Sequence, residues 1–137
     1  MMRRLAHVGV AVKSLNESIE LFSRLLQIDR VENEVVESQR VKLAFFHVGG
    51  VSIELTEATD AGSPIAKFIE KGGEGVHHLS FEVDDIVAEL ARLKQEGFRL
   101  IDEKPRAGAG GHLVAFIHPK STNGVLVELC QKGLPAA

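Results

Sequence analysis

A single cysteine, Cys130, is all that the 137-residue chain carries. That excludes an intramolecular disulfide and any cysteine-based zinc knuckle, and it suits a reducing cytoplasm. Cys130 itself, in the alternating stretch GVLVELCQ, reads as a small hydrophobe packed in a strand. No apolar run approaches the roughly 18 residues that a membrane-spanning helix needs. The opening MMRRLAHVGV starts charged, but His7 and then Lys13 interrupt its apolar stretch, so it reads as a strand and not a secretion signal. A basic surplus is lacking too. The formal net charge is −3 and no run of Lys or Arg forms a tail, so nothing draws the whole chain to nucleic acid or to an anionic membrane. What remains is 45% hydrophobic and 26% charged, the balance of a folded domain with enough chain to bury a core.

The chain repeats itself, and the repeat sets the architecture before any motif is weighed. AHVGVAVKSLNESIELFSRLL begins as an alternating strand from Leu5 to Val12. It then changes to helical spacing, with Leu15, Ile19, Phe22 and Leu26 on one face and Ser14 with Glu17 as a capping box. VHHLSFEVDDIVAELARLKQEG does the same, with a strand from Val76 to Val83, Asp84 as N-cap, an apolar face of Ile86, Leu90 and Leu93, and Gly97 as the stop. Three strands follow each helix: RVENEVVE, RVKLAFFHV and VSIELTEA in the first copy, then FRLID, HLVAFIHP and GVLVELCQ in the second. The expected fold is α+β, one domain over residues 1–137 built from two βαβββ modules at about 3–57 and 75–131. A short helix over 62–72 joins them, capped by Ser63, opened by Pro64 and followed by Gly72.

Alignment of the copies places His7 on His78 and Glu54 on Glu128. Successive side chains of a strand point to opposite faces. Glu54 therefore lies opposite Val51, Ile53 and Leu55, and Glu128 opposite Val125, Val127 and Leu129. His7 shares a face with Gly9 and Ala11, and His78 with Ser80 and Glu82, whereas His77 joins the packed row of Leu79, Phe81 and Val83. Two imidazoles and two carboxylates on matching inner faces suit a divalent metal, since neutral nitrogen and anionic oxygen together complement a borderline cation. Four protein ligands leave coordination positions open for a reactant. A structural histidine and a solvated glutamate account for any one of the four alone; the duplication is what makes them a set. His47, His112 and His118, near turns, read as loop or surface residues.

These pieces, HVGVAV, SPIAKFIEKGGEGVHHLSFEVDDI, EKPR and GAGGHLVAFIHPKSTNGVLVEL, resemble the vicinal oxygen chelate (glyoxalase/bleomycin resistance) superfamily and, within it, the methylmalonyl-CoA epimerase family. The resemblance spans Leu5 to Gln131. It implies two curved sheets forming a cleft around a metal held by His7, Glu54, His78 and Glu128, with Co2+ favoured and Zn2+, Ni2+ or Mn2+ as other ions. It also implies a homodimer that epimerises (R)- and (S)-methylmalonyl-CoA, and the expected route is a metal-chelated enolate. Two departures stand out. Some of these epimerases carry Gln where this chain has Glu54, and some carry a catalytic Glu four residues past a Gln, where this chain has Gln39 followed by Leu43. With no acid at 43, the two bases such a reaction needs are expected to be Glu128 and Glu54. For the coenzyme A tail, Lys104, Arg106, Lys120 and Ser121 flank a glycine loop, where Gly108, Gly110 and Gly111 let backbone N–H groups approach a phosphate. The alternatives are a glyoxalase I-like lyase acting on a hemithioacetal and a small-molecule-binding member without the metal.

Overall fold

The computed structural model describes residues 1–133, in two compact units. One is His7–His77; the other joins Met1–Ala6 to the chain from His78 onward. The chain thus crosses between units at 6/7 and at 77/78, each time immediately before one of the paired histidines.

The His7–His77 unit contains the second half of β1 (Met2–Ala11), then α1 (Leu15–Leu26), β2 (Glu32–Val36), β3 (Val41–Val48), β4 (Val51–Ala58) and α2 (Pro64–Gly72). Its strands run in the order β2-β3-β4-β1, with β1 parallel to β4 and the other pairs antiparallel. The helix positions Leu15, Ile19, Phe22 and Leu26 pack on Val12, just past β1, and on Ala44, Phe46 and Leu55 of the sheet. Fully burying each such side chain stabilises the unit by roughly 1.5–3 kcal/mol. α1 starts where expected: the Ser14 hydroxyl accepts from Glu17 N at 3.3 Å, and Gln27 closes the helix in the left-handed region. A second anchor was not expected. The Glu57 carboxylate of β4 accepts the Leu15 N–H at 2.7 Å, satisfying a helix donor from the neighbouring sheet. α2 is capped by Ser63, but Gly72 is its last residue and Gly73, at φ +83°, ends it.

The other unit contains β5 (Gly75–Val83) apart from its first three residues, α3 (Ile86–Gln95), β6 (Arg106–Ala107), β7 (Leu113–Ile117) and β8 (Val127–Gln131). β5 lies parallel to β8, and β8 and β6 flank β7 in antiparallel pairs. Ile86, Leu90 and Leu93 of α3 pack on Val83, Ala115, Ile117 and Leu129. The first residues of the chain are tied here by ion pairs from Arg3 to Asp84 and from Arg4 to Glu82. That pairing explains one correction: the N-cap of α3 is Asp85, which accepts from Ala88 N at 3.1 Å, and not Asp84. The hydrogen-bonded Arg3 guanidinium holds the Asp84 carboxyl below its usual range. As in the first copy, a β8 side chain reaches the helix start, Gln131 accepting the Ile86 N–H at 2.8 Å.

FRLID does not form a strand. Leu100 makes one isolated bridge to Ile117, and the Ile101 and Asp102 N–H groups both donate to the Phe116 carbonyl. The Asp102 carboxylate accepts the Phe116 N–H at 2.9 Å, taking the place of a strand carbonyl, and the edge strand forms later, at β6. The βαβββ pattern nonetheless holds in each copy. Among the described residues, no helix is long and apolar enough to cross a membrane.

Candidate functional site

In the His7–His77 unit, β1 and β4 pair with His7 beside Ser52 and Gly9 beside Glu54. The small Gly9 leaves room for the imidazole to lean across, and His7 Nε2 lies 3.2 Å from Glu54 Oε2. Glu54 is 6% exposed, and its Oε1 accepts the Thr56 hydroxyl at 3.1 Å. In β3, Phe45 stands directly opposite Glu54, and its ring meets His7 at near right angles, centroids 6.2 Å apart.

The other unit repeats this. His78 Nε2 lies 3.4 Å from Glu128 Oε2, and both residues are buried. Phe116 stands opposite Glu128 in β7, its ring edge-on to His78 at 5.9 Å. The hydroxyl comes from elsewhere: Ser80, at the position of Gly9, approaches Glu128 Oε1 at 3.5 Å, while Cys130 occupies the place of Thr56. The paired phenylalanines escaped the sequence reading because hydrophobic residues in strands are unremarkable singly. The signal was available in aligning AFFHVGGVSIEL with VAFIHPKSTNGVLVEL.

His7, Glu54 and His78 each offer a donor atom, all within 4.8 Å of one another, and could hold a metal ion. Nitrogen and carboxylate oxygen bound at about 2.0–2.2 Å to one ion, at angles near 90–110°, lie roughly 2.9–3.5 Å apart, and both His–Glu separations fall in that window. Burying a carboxylate costs several kcal/mol unless its charge is offset, and a cation offsets it. The flanking phenyl rings pack edge-on against the two imidazoles.

The residues expected to meet coenzyme A all fall in the unit that holds His78. Arg106, in β6, lies over the Phe116 ring at 5.6 Å and 3.6 Å from Asp102. Gly110 and Gly111 adopt φ of +66° and +74° in the turn before β7. A Cβ on Gly110 would press on the His112 ring at 2.9 Å, so that loop is tight. His112 Nδ1 is buried without a partner among the described residues. Lys120 and Ser121 belong to the short 3-10 turn after His118. Lys120 N donates to His118 Nδ1 at 3.1 Å, and Ser121 Oγ accepts from Arg99 N. Burial and then the charges of Arg99 and Lys120 hold the His118 pKa below its usual value. His47 lies in β3, hydrogen-bonded to Ser52 at 2.8 Å and 3.6 Å from Glu32. His77 packs edge-on against Phe68 of α2 at 4.9 Å, as its place in the packed row implied.

Residues 6–116 match the glyoxalase/bleomycin resistance protein/dioxygenase superfamily. The chain is 43% identical to the Bacillus subtilis protein YqjC, over 95% of this chain and 93% of that one. It is 38% identical to an ethylmalonyl-CoA/methylmalonyl-CoA epimerase of Cereibacter sphaeroides, over 96% and 99%. Among solved structures, Streptomyces coelicolor methylmalonyl-CoA epimerase in complex with 2-nitronate-propionyl-CoA is similar at a TM-score of 0.93 and 31% identity, covering 100% of this chain and 99% of that one.

Proposed function

The chain belongs to the glyoxalase/bleomycin resistance protein/dioxygenase superfamily, and from that premise we propose that it interconverts the (R) and (S) epimers of methylmalonyl-CoA. The observation that carries this reading is the doubled His–Glu pair, each pair walled by a phenylalanine, in a chain alike over nearly its full length to epimerases of that name. His7, Glu54, His78 and Glu128 would together hold one divalent cation, Co2+ by preference, with Zn2+, Ni2+ or Mn2+ also compatible with nitrogen and oxygen donors. Such an ion supplies positive charge against the negative charge that grows on the thioester oxygen beside the substrate carboxylate.

The rest falls to side chains. The carbon between thioester and carboxylate loses its proton to a base on one side of the enolate plane and regains one from an acid on the other. Glu128 takes one side. It is buried, steadied by the Ser80 hydroxyl, and close enough to His78 that its carboxylate is fixed in direction. Glu54 takes the other side, with Thr56 at 3.1 Å from one oxygen and His7 at 3.2 Å from the other, contacts slightly closer than the 3.5 and 3.4 Å of Ser80 and His78 to Glu128. Arg106, Lys120, Ser121 and the N–H groups of Gly110 and Gly111 would receive the coenzyme A phosphates. Ser121 already accepts one hydrogen bond and keeps its O–H to donate. A cytoplasmic homodimer belongs to the same proposal.

The test is to load the protein with metal, supply (S)-methylmalonyl-CoA alone and follow the appearance of the (R) epimer, with metal per chain measured in parallel. Conversion to a mixture of both epimers is expected, and an inert metal-loaded protein would refute the reading. Glu54, a carboxylate and not an amide, favours one second reading, a glyoxalase-like lyase. Turnover of the hemithioacetal of methylglyoxal and glutathione, with no epimerisation, would establish it.

A further inference from the structure

Resting on the epimerase reading, we infer that Asp102 is a positioning residue, which aims Arg106 at the anionic coenzyme A end of the substrate. The chain makes a detour to do so. Leu100 bridges Ile117 and Arg106 pairs with Val114, so six steps of chain, 100 to 106, run beside three steps of β7, 117 to 114. Three residues are surplus, where a bulge ordinarily inserts one. Bulges re-aim side chains, and this one delivers a guanidinium. The other copy has no such detour: β2 pairs with β3 over five consecutive residues, Glu32 to Val36. The βαβββ pattern therefore does not require it.

Asp102 sits at the neck of the detour and holds both ends of it. Its own N–H donates to the Phe116 carbonyl at 3.2 Å. Its Oδ2 accepts the Phe116 N–H at 2.9 Å, and its Oδ1 lies 3.6 Å from Arg106 Nε. The Arg106 guanidinium lies over the Phe116 ring, 5.6 Å from the centroid, so one carboxylate fixes the strand that carries the ring and the cation stacked on it. The Asp102 side chain is 17% exposed and that of Arg106 42%, which puts the anchor inside and the fork outside. An ion pair this open adds little to stability; its effect is on direction. Because Asp102 approaches at Nε, the four Nη–H donors are left for a pair of phosphate oxygens. An arginine held in advance loses less rotamer freedom when it meets an anion. Phe116 also stands opposite Glu128 and edge-on to His78, so the same ring spaces the cation from the His78–Glu128 pair.

The test uses the full metal-loaded chain and the substitution Asp102→Asn, which keeps an oxygen for the Phe116 N–H and removes the charge facing Arg106. KM for methylmalonyl-CoA, and the Kd of the unreactive propionyl-CoA by calorimetry, should each rise about fivefold, with kcat and metal content little changed. In an Arg106→Ala background the same substitution should change neither constant by as much as twofold, since the group it directs is gone. Asp102→Ser, with an oxygen and no charge, is read in the same way if the amide variant does not fold. Constants within twofold of wild type, or an equal rise with and without Arg106, would overturn the assignment and leave Asp102 a support for Phe116 alone. A wild-type chain that binds propionyl-CoA but epimerises nothing would remove the epimerase reading, while the ratio of Kd values still decides the role of Asp102. A chain that does neither would overturn both.

Discussion

The two His–Glu pairs differ less in themselves than in what surrounds them. Both copies keep an imidazole beside a buried carboxylate with a phenylalanine across the strand. They part company one step out. The first copy holds its glutamate with Thr56 on the same strand, the second with Ser80 on the neighbouring strand. The first carries Glu34 at the sheet edge, the second Arg106. The lesson is that duplication preserved the His–Glu geometry of each copy and let the residues two strands further out diverge.

The largest test of this division is Glu128→Gln in deuterated buffer. Loss of about 10²–10⁴-fold in epimerisation, with metal retained, is expected; unchanged rates would make the carboxylates mere ligands and the copies functionally alike. Next come the equivalent core positions, Leu55 and Leu129, each fully buried. Leu55→Ala and Leu129→Ala should each cost about 2–5 kcal/mol, read by chemical denaturation. Equal costs in a single transition would mean that the units unfold together, and two transitions would separate them.

A smaller effect is expected at the periphery. Arg106→Ala should raise KM for the CoA substrate roughly tenfold, on the order of 1.4 kcal/mol in binding, with little change in kcat. An unaltered KM would leave Arg106 a packing residue on Phe116. Smallest is the pH response of the turn at His118. Its lowered pKa means that, just below about pH 6.5, the unfolded chain binds a proton that the folded chain does not. The contribution of this group to stability is therefore present at neutral pH and lost as pH falls through the folded pKa. The protection of the Lys120 amide against exchange, relative to a free amide at the same pH, should fall between pH 7 and 5 as its acceptor His118 Nδ1 is protonated.

Periodicity made most of this fold readable from residues alone. Alternation and helical spacing are properties of short windows, and they located each βαβββ repeat and the faces on which His7, Glu54, His78 and Glu128 lie. What escaped depends on distant partners. Asp84 reads as the cap until Arg3, some 80 residues away, claims it and Asp85 takes the role. FRLID has the composition of a strand, but the Asp102 carboxylate competes for the N–H of Phe116. Phe45 and Phe116 look like ordinary core residues until register sets each opposite a glutamate.

The crossing of the chain at His7 and again at His78 bears on how the molecule is made. During synthesis on a ribosome, the stretch from His7 to His77 emerges whole and can fold while more chain is being added. The six residues ahead of it belong to the other unit, and their acidic partners Glu82, Asp84 and Glu89 are translated only afterwards. Residues made ahead of His7 are thus among the last to find their neighbours.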